Sequence, residues 1–317
     1  MAADRVLIYS RFPKALMVRI GQHFELIDAA GKPPRDVFSA DQLADIRALI
    51  TAGGQGLGAD VMEMLPKLGA IVCYGTGYDG IDLSAAAQRG IAVGNSPAAN
   101  AAAVADLAMT LMLAATRRLI PADSYVKSGG WASATPSPLM SAPQGLTGAR
   151  IGIYGMGEIG RKVAARAAAF EMDVAYHSRS RYDLPFAYHA TLGGLVDWCD
   201  ILVIAVRAGP DTQHIIDAPM LKRLGPNGTL INISRGSVID EQALVAALRD
   251  KVIGAAGLDV FEVEPHKPDA LTELPNVVLT PHIGGHTAQS HIGMQDCVIA
   301  NLSAFFAGKP LVYPVKA

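Results

Sequence analysis

Cysteine and charge are both scarce in this sequence of 317 residues, and each shortage excludes a class of protein. The three cysteines, Cys73, Cys199 and Cys297, are widely separated, so we expect neither a disulfide framework nor a cysteine-based metal site. Charged residues make up 18% of the chain, the formal net charge is −2, and there is no long basic run. The sequence therefore argues against nucleic acid as a partner, and it predicts no metal.

A long uninterrupted hydrophobic run is also missing. The most apolar longer segment, 101–116, contains Asp106 and is followed by Arg117 and Arg118, which favours a buried helix over a membrane span. The first ten residues lack the long apolar core and cleavage pattern of a secretory signal, and they are typical of a β-strand. We therefore expect a cytoplasmic chain with reduced thiols and no membrane partner.

The sequence does contain a regular alternation of short apolar runs with helical stretches. Hydrophobic residues make up 50% of the chain, which is ample for a substantial core. The alternation predicts an α/β protein with two doubly wound parallel-sheet (Rossmann-like) domains and a cleft between them. The predicted strands cover 5–9, 48–50, 70–74 and 91–93, followed by a second series from Arg150 through 174–177, 201–206, 229–233, 254–258 and 277–279.

A glycine turn follows the first strand of the second series. It has the spacing G-x-G-x-x-G and precedes an alanine-rich segment of high helix propensity, 161–170. In this context the first glycine suits a tight turn, the second lets the backbone approach a pyrophosphate, and the third lets helix and strand pack closely. The turn predicts dinucleotide binding by Gly155, Met156, Gly157, Glu158, Ile159 and Gly160.

The residues after the next strand indicate which dinucleotide is preferred. An NAD site usually places a carboxylate there to bind the ribose 2′-hydroxyl, but this chain has His177. Ser178, Arg179 and Ser180 follow, and they can donate hydrogen bonds and positive charge to a 2′-phosphate. The sequence therefore predicts NADPH/NADP⁺ as the cofactor, with NADH weaker.

Three segments at predicted strand ends supply residues that suit hydride transfer to a 2-oxo acid. Arg235 can bind a carboxylate in a forked geometry, His282 can donate a proton to the developing alkoxide, and Glu264 can orient the imidazole. Their local sequences, N-I-S-R-G, G-L-D-V-F-E-V-E-P and T-P-H-I-G-G, resemble in order and composition those of the D-isomer-specific 2-hydroxyacid dehydrogenases. The resemblance covers nearly the whole chain, and it implies that Arg235, Glu264 and His282 are the catalytic trio.

The resemblance also implies further sites and a domain division. A glycine loop would bind the substrate carboxylate, and Trp131 is either a substrate contact across a homodimer or a residue packed at the dimer interface. A discontinuous substrate-binding domain would comprise 1–98 and 284–317, and a dinucleotide-binding domain 99–283. The implied loop residues are Tyr74, Gly75, Thr76 and Gly77, and the further implied cofactor contacts are Val206, Arg207, Thr212, Ile233, Asp259 and Gly284.

Within that family, H-S-R-S resembles the NADPH-preferring glyoxylate/hydroxypyruvate reductases. We therefore predict reduction of a small 2-oxo acid to the D-2-hydroxy acid, with His282 as the proton donor. Reduction of aryl pyruvates such as phenylpyruvate or hydroxyphenylpyruvate is the alternative, and a non-catalytic NAD(P)-sensing regulator is a weaker one. Whether Arg207 binds the 2′-phosphate or faces solvent is left open.

Overall fold

The described residues form two parallel sheets, each with helices packed on it. A computed structural model describes residues 4–132, 145–265 and 267–315. The chain folds into two compact units, unit 1 with Met1–Asn100 and Gly285–Ala317, and unit 2 with Ala101–Gly284. Both sheets are parallel and of the Rossmann-like type, which confirms the predicted α/β fold class.

Unit 1 contains a five-stranded sheet. Its strands and helices are β1 (Arg5–Ile8), α1 (Lys14–Gly21), β2 (Glu25–Asp28), α2 (Ala40–Ala44), β3 (Ala48–Thr51), α3 (Ala59–Glu63), β4 (Ala70–Cys73), α4 (Leu83–Gln88), β5 (Ala92–Gly94) and α12 (Ala288–Phe306). The strand order is β2-β1-β3-β4-β5. Helix α12 packs on this sheet, because its buried Met294, Val298 and Leu302 join the core formed by strands β1, β3 and β4.

Unit 2 contains a seven-stranded sheet. Its elements are α5 (Ala101–Thr116), α6 (Leu119–Lys127), β6 (Arg150–Tyr154), α7 (Glu158–Ala169), β7 (Asp173–His177), β8 (Ala187–Tyr188), α8 (Leu192–Trp198), β9 (Ile201–Ile204), α9 (Ala218–Leu224), β10 (Thr229–Asn232), α10 (Glu241–Arg249), β11 (Ala255–Leu258), α11 (Asp269–Thr272) and β12 (Val277–Leu279). The strand order is β12-β11-β10-β9-β6-β7-β8.

The central strands of the unit 2 sheet are buried on both faces. Strands β9 and β10 are buried at every position, as expected where helices cover both faces of a parallel sheet. Because side chains alternate along a strand, Leu202 and Ile204 lie in the core on one face, and Ile201 and Val203 lie in the core on the other. The sheet is therefore packed on both faces, and its carboxyl edge carries the loops that follow the strands.

Two edge strands, β2 and β8, were not predicted from the sequence. Strand β2 has the sequence E-L-I-D, with both ends exposed and the middle only half-buried, so it lacks a continuous apolar run. Strand β8 has only two residues. The apolar pattern is weakest at sheet edges because one side of an edge strand faces solvent, so edge strands are the elements that sequence reasoning misses first.

Candidate active site

The carboxyl edge of the unit 2 sheet is where the chain reverses its direction of sheet growth. From β6 the chain proceeds outward to β7 and β8, and it then returns to place β9 on the other side of β6. In doubly wound sheets ligands bind at such a switch point, outside the carboxyl ends of the strands. The loops that follow β6, β7 and β9 to β12 therefore form the candidate site of this unit.

The glycine turn after β6 has the sterics that a dinucleotide requires. Gly155 has a φ of 103°, and a Cβ there would lie 2.6 Å from the carbonyl oxygen of Ala205. A Cβ on Gly160 would overlap the carbonyl oxygen of Gly155, so the helix packs directly on the turn. By contrast, a Cβ on Gly157 would meet nothing within 4 Å. The turn is closed against the protein at Gly155 and Gly160 and open at Gly157.

That opening lies at the start of α7. Gly157 is the N-cap of the helix and provides no side-chain cap, so the amides of the first turn keep their donors for another acceptor. A helix N-terminus also carries positive potential. The residues present therefore fit a pyrophosphate at Gly157 to Ile159, where backbone amides are the donors.

Strand β7 ends in His177, so no carboxylate stands at the end of this strand. His177 donates from Nδ1 to the carbonyl oxygen of His189 at 2.9 Å, and its ring stacks between Tyr154 and Tyr188. The side chain of His177 is therefore held within the unit. The buried Ser178 donates to the carbonyl oxygen of Ser180 at 2.6 Å, which shapes the loop and leaves Arg179 exposed.

A cation that the sequence analysis did not single out lies beside this loop. The guanidinium of Arg161, on α7, lies 4.5 Å from the centre of the Tyr182 ring. Arg161 directly follows the third glycine of the turn, so its position in the sequence could have identified it. It adds a positive charge on the side of the turn that faces the loop after β7.

The loop after β9 contains three of the implied cofactor contacts. Val206 reaches the glycine turn, since a Cβ on Gly155 would lie 2.9 Å from Val206 Cγ1. The hydroxyl of Thr212 accepts a hydrogen bond from the amide of Gly209 at 2.9 Å and so closes the loop on itself. Arg207 lies exposed between them. Ile233 is buried at the end of the neighbouring strand, directly before Ser234.

Arg235 is positioned by the end of β10. The side chain of Asn232 donates to the carbonyl oxygen of Arg235 at 2.9 Å and accepts from the amide of Ser234 at 3.0 Å. The hydroxyl of Ser234 donates to the carbonyl oxygen of Val206 at 2.6 Å, which ties this loop to the one after β9. Asn232 is fully buried, and sequence reasoning did not identify it as the residue that shapes the arginine loop.

Glu264 and His282 form a hydrogen-bonded pair. Strands β11 and β12 are neighbours, and the loops after them bring His282 Nδ1 to 2.6 Å from Glu264 Oε2. The other carboxylate oxygen accepts from the amide of Phe261 at 2.7 Å. Burial by itself raises the pKa of Glu264. The hydrogen bonds from His282 and Phe261, together with the positive charges of His282 and Arg235, outweigh burial and hold that pKa below its ordinary value.

Asp259 holds the loop that carries His282. The carboxylate is 2% exposed, and it accepts from the Thr280 hydroxyl at 2.7 Å and from the amides of Ile283 and Gly284, both at 2.8 Å. His282 itself has a φ of 53°, a conformation that a non-glycine residue keeps only when its surroundings impose it. Both oxygens of this implied cofactor contact are therefore engaged in shaping the histidine loop.

In unit 1, the implied carboxylate-binding loop follows β4. The carbonyl oxygens of Gly75 and Thr76 accept from the amide of Ser96 at 2.8 Å and the side chain of Asn95 at 2.7 Å. Within the described ranges, the amides of Thr76 and Gly77 donate to no protein acceptor. Burial raises the pKa of Tyr74 to about 12, and its hydroxyl forms a hydrogen bond with His291 Nδ1 at 3.1 Å.

The structure also shows the surroundings of Trp131 and of the three cysteines. Trp131 lies in the short turn after α6 and is 76% exposed. All three cysteines are free, and burial raises the pKa of Cys73 and Cys199 to about 12. Among the residues that the structure describes, no group of three metal-ligating side chains comes together. In the same part of the chain, none of the helices has the length and hydrophobicity that crossing a membrane requires.

Comparison with known proteins gives a consistent set of relatives. Residues 109–284 match the model of the D-isomer specific 2-hydroxyacid dehydrogenase, NAD binding domain. The chain is 39% identical to hydroxyphenylpyruvate reductase of Plectranthus scutellarioides and 38% identical to glyoxylate/hydroxypyruvate reductase A of Arabidopsis thaliana, in each case over 99% of this chain and 100% of the relative. The NADPH-dependent glyoxylate/hydroxypyruvate reductase of Sinorhizobium meliloti, solved with NADP and malonate, superimposes with a TM-score of 0.92 at 36% identity, over 99% of this chain and 97% of that one.

Proposed function

The chain belongs to the D-isomer specific 2-hydroxyacid dehydrogenases, and on that premise we propose that it reduces a small 2-oxo acid, such as glyoxylate or hydroxypyruvate, to the D-2-hydroxy acid with NADPH. The family makes it an NAD(P)H-dependent oxidoreductase, and relatives named for glyoxylate and hydroxypyruvate support the substrate class. Unit 2 is the proposed dinucleotide-binding domain and unit 1 the proposed substrate-binding domain.

The observation that carries the proposal is the 2.6 Å hydrogen bond between His282 Nδ1 and Glu264 Oε2. Because Nδ1 is engaged, Nε2 is the nitrogen that exchanges a proton with the substrate oxygen. The carboxylate of Glu264 orients the ring and stabilises the imidazolium before it gives up its proton. The lowered pKa of Glu264 keeps that carboxylate charged throughout the neutral range.

Arg235 and the unit 1 loop handle the negative charge of the substrate. The guanidinium of Arg235 binds the carboxylate and polarises the carbonyl, since its planar donors match a carboxylate in a forked geometry. In unit 1, the amides of Thr76 and Gly77 are the proposed backbone donors to a carboxylate. NADPH, when bound, supplies the hydride, so the protein's own task is orientation and electrostatics.

The preference for the phosphorylated cofactor rests on the loop after β7. Strand β7 ends in His177 rather than in a carboxylate, and the exposed Arg179 and Ser180 can donate to a 2′-phosphate. Arg161 adds a second cation from α7. The NADPH-dependent relative of Sinorhizobium meliloti supports the same choice.

Aryl pyruvates are the second candidate substrates. The relative from Plectranthus scutellarioides, at 39% identity over nearly the whole chain, is named for hydroxyphenylpyruvate. A non-catalytic NAD(P)-sensing regulator is a weaker alternative, because a regulator has no need of a histidine–carboxylate pair built for proton transfer.

The working form that we propose is a cytoplasmic homodimer. Helix α6 buries none of its side chains, and its Leu119, Ile120 and Val126 are each more than half exposed, as is Trp131 just beyond it. An apolar surface of this kind is typical of an interface with a second copy of the chain. There Trp131 would either pack or reach the partner's substrate.

The test is a set of initial rates of NADPH and NADH oxidation with glyoxylate, hydroxypyruvate and phenylpyruvate, with the 2-oxo acid omitted as the control. We expect a strong preference for NADPH and fastest turnover of a small 2-oxo acid. Faster turnover of phenylpyruvate would move the protein to the aryl-pyruvate alternative. Tight NADPH binding without turnover of any 2-oxo acid would support the regulator.

A further inference from the structure

Unit 2 contains a second histidine–glutamate pair, formed by His214 and Glu262. Glu262 stands two residues before Glu264 in the sequence. The Nε2 of His214 is 2.7 Å from the Oε1 of Glu262, and the two side chains are 40% and 37% exposed. Neither residue belongs to the proposed catalytic trio. An ion pair this exposed contributes little to folding on its own, so its position beside the catalytic pair needs another explanation.

The backbone of Glu262 is held as well as its side chain. Its amide donates to Oε2 of Glu241 at 3.1 Å. Glu241 is the first residue of α10, and its carboxylate reaches the Glu262 amide at the surface of the unit. The segment that ends at Glu264 is therefore held at Glu262 by a carboxylate on its amide and an imidazole on its side chain.

Gly236 packs directly against the backbone of Phe261 and Glu262. A Cβ on Gly236 would overlap the carbonyl group of Phe261 and the amide of Glu262, so the loop after β10 and the loop after β11 are in direct backbone contact. Gly236 directly follows Arg235. The close approach therefore couples the arginine loop to the segment that carries the glutamate.

His214 is itself anchored to the same loop. Its amide donates to the carbonyl oxygen of Ser237 at 2.8 Å, and Ile216 forms a parallel bridge with Ile239. His214 has a φ of 48°, a conformation that costs free energy and that a non-glycine residue keeps only where its surroundings impose it. The residues 236–241 thus carry both anchors, His214 through the backbone and Glu241 directly.

We propose that Glu241 and His214 are positioning residues, which clamp Glu262 and thereby hold the Phe261–Glu264 turn so that Glu264 meets His282 in the geometry for proton transfer. The link is short, because the amide of Phe261, next to Glu262, donates to Oε1 of Glu264 at 2.7 Å. The inference rests on the proposed function, since it assigns a role in the same proton transfer. Displacing the Phe261 amide lets the carboxylate rotate away from the imidazole.

The test compares Glu241→Ala with Glu241→Gln in the full chain. The amide oxygen of glutamine can still accept from the Glu262 amide, whereas alanine cannot. We expect the alanine variant to lower kcat about ten- to a hundredfold, because misplacing a catalytic group by about 1 Å can cost about a hundredfold in rate. We expect KM for the 2-oxo acid and KM for NADPH to stay within about twofold. We expect the glutamine variant to restore kcat. Glu273→Ala, at an exposed glutamate of the same unit, is the matched control.

A second readout needs neither substrate nor cofactor. We expect the proton shared by His282 and Glu264 to give a downfield ¹H NMR signal, which the Glu264→Gln variant would identify by its loss. We expect this signal to weaken or shift in Glu241→Ala and in His214→Ala, and to persist in Glu241→Gln. If no 2-oxo acid is turned over, the proposed function fails while the NMR comparison still tests the clamp.

Three outcomes would overturn the clamp. One is an unchanged downfield signal in both alanine variants. Another is an equal loss of kcat in Glu241→Ala and Glu241→Gln, which would make the charge of Glu241, rather than its acceptor atom, the relevant feature. The third is a lower melting temperature of Glu241→Ala with an unchanged kcat, which would reduce Glu241 to a stabilising residue. If Glu241→Ala fails to fold, His214→Ala and His214→Gln carry the same comparison at the other anchor.

Discussion

The glycine turn at 155–160 and the trio Arg235, Glu264 and His282 lie along the carboxyl edge of the same sheet, but they are built in opposite ways. The turn uses backbone amides, and it forms only because its glycines have no side chain. The trio uses charged side chains, one from each of the loops after the neighbouring strands β10, β11 and β12. One site is contiguous in sequence, whereas the other spans 48 positions.

This difference determines how each site fails. A contiguous turn is controlled by local sterics, so a single added methyl group can close it. A site assembled from three loops depends on the register of three strands and on the residues that shape each loop, namely Asn232, Phe261 and Asp259. The first site should be sensitive in binding and folding, and the second in turnover.

The largest effect should come from His282→Ala. Removing the proton donor should lower turnover by about a hundredfold to ten-thousandfold, because that is the contribution of a positioned acid–base group. The dissociation constant for NADPH should stay nearly unchanged, because the turn is a separate site. Steady-state kinetics and a fluorescence titration measure the two quantities, with the exposed His23→Ala as control. Unchanged turnover would remove His282 from the mechanism.

Two glycine variants should separate the packing function of the turn from its binding function. Gly160→Ala would place a methyl group on the carbonyl oxygen of Gly155, so we expect the free energy of unfolding to fall by about 1–3 kcal/mol. Gly157→Ala meets no protein atom, so stability should stay within about 0.5 kcal/mol of the parent while NADPH affinity falls. Urea denaturation and NADPH titration distinguish them. Equal destabilisation by both variants would contradict the open space beside Gly157.

A smaller effect is expected from Arg179→Ala. The variant should raise KM for NADPH about tenfold and leave KM for NADH unchanged, because only the phosphorylated cofactor offers an anion to the guanidinium. Initial rates with the two cofactors measure this, with the exposed Arg249→Ala as control. An equal change for both cofactors would remove the 2′-phosphate from the role of Arg179. The same assay on Arg207→Ala answers whether that residue binds the phosphate.

The smallest effect concerns acid stability. The pKa of Glu264 lies below its ordinary value of 4.5 in the folded chain, so the stabilisation it provides is complete above pH 4.5 and is lost as the pH falls through the folded pKa. Unfolding free energies measured from about pH 7 down to about pH 3 should therefore decline less steeply in Glu264→Gln than in the parent. Glu273→Gln, at an exposed site, should follow the parent. Identical slopes for Glu264→Gln and the parent would show that Glu264 is not stabilised as a carboxylate.

The sequence predicted most of the fold, because most of its elements carry a clear apolar or glycine pattern. Buried central strands such as β9 and β10 are continuous apolar runs, and the turn at 155–160 carries its glycines at fixed spacing. The edge strands β2 and β8 gave no such pattern. The residues that shape the loops of the trio were missed for a related reason: Asn232 and Glu241 are ordinary polar residues in sequence, and only their partners make them distinctive.

What the sequence determined by itself is whatever a short stretch of chain can specify: the parallel α/β pattern, the glycine turn and a histidine rather than a carboxylate at the end of β7. The tertiary structure decided what lies between distant stretches. It brought Glu264 to His282, placed Asp259 under the histidine loop and set Gly236 against the Phe261 backbone. The physical reason is that periodicity and steric freedom are local properties, whereas a hydrogen bond between loops depends on strand register, which only the packed sheet fixes.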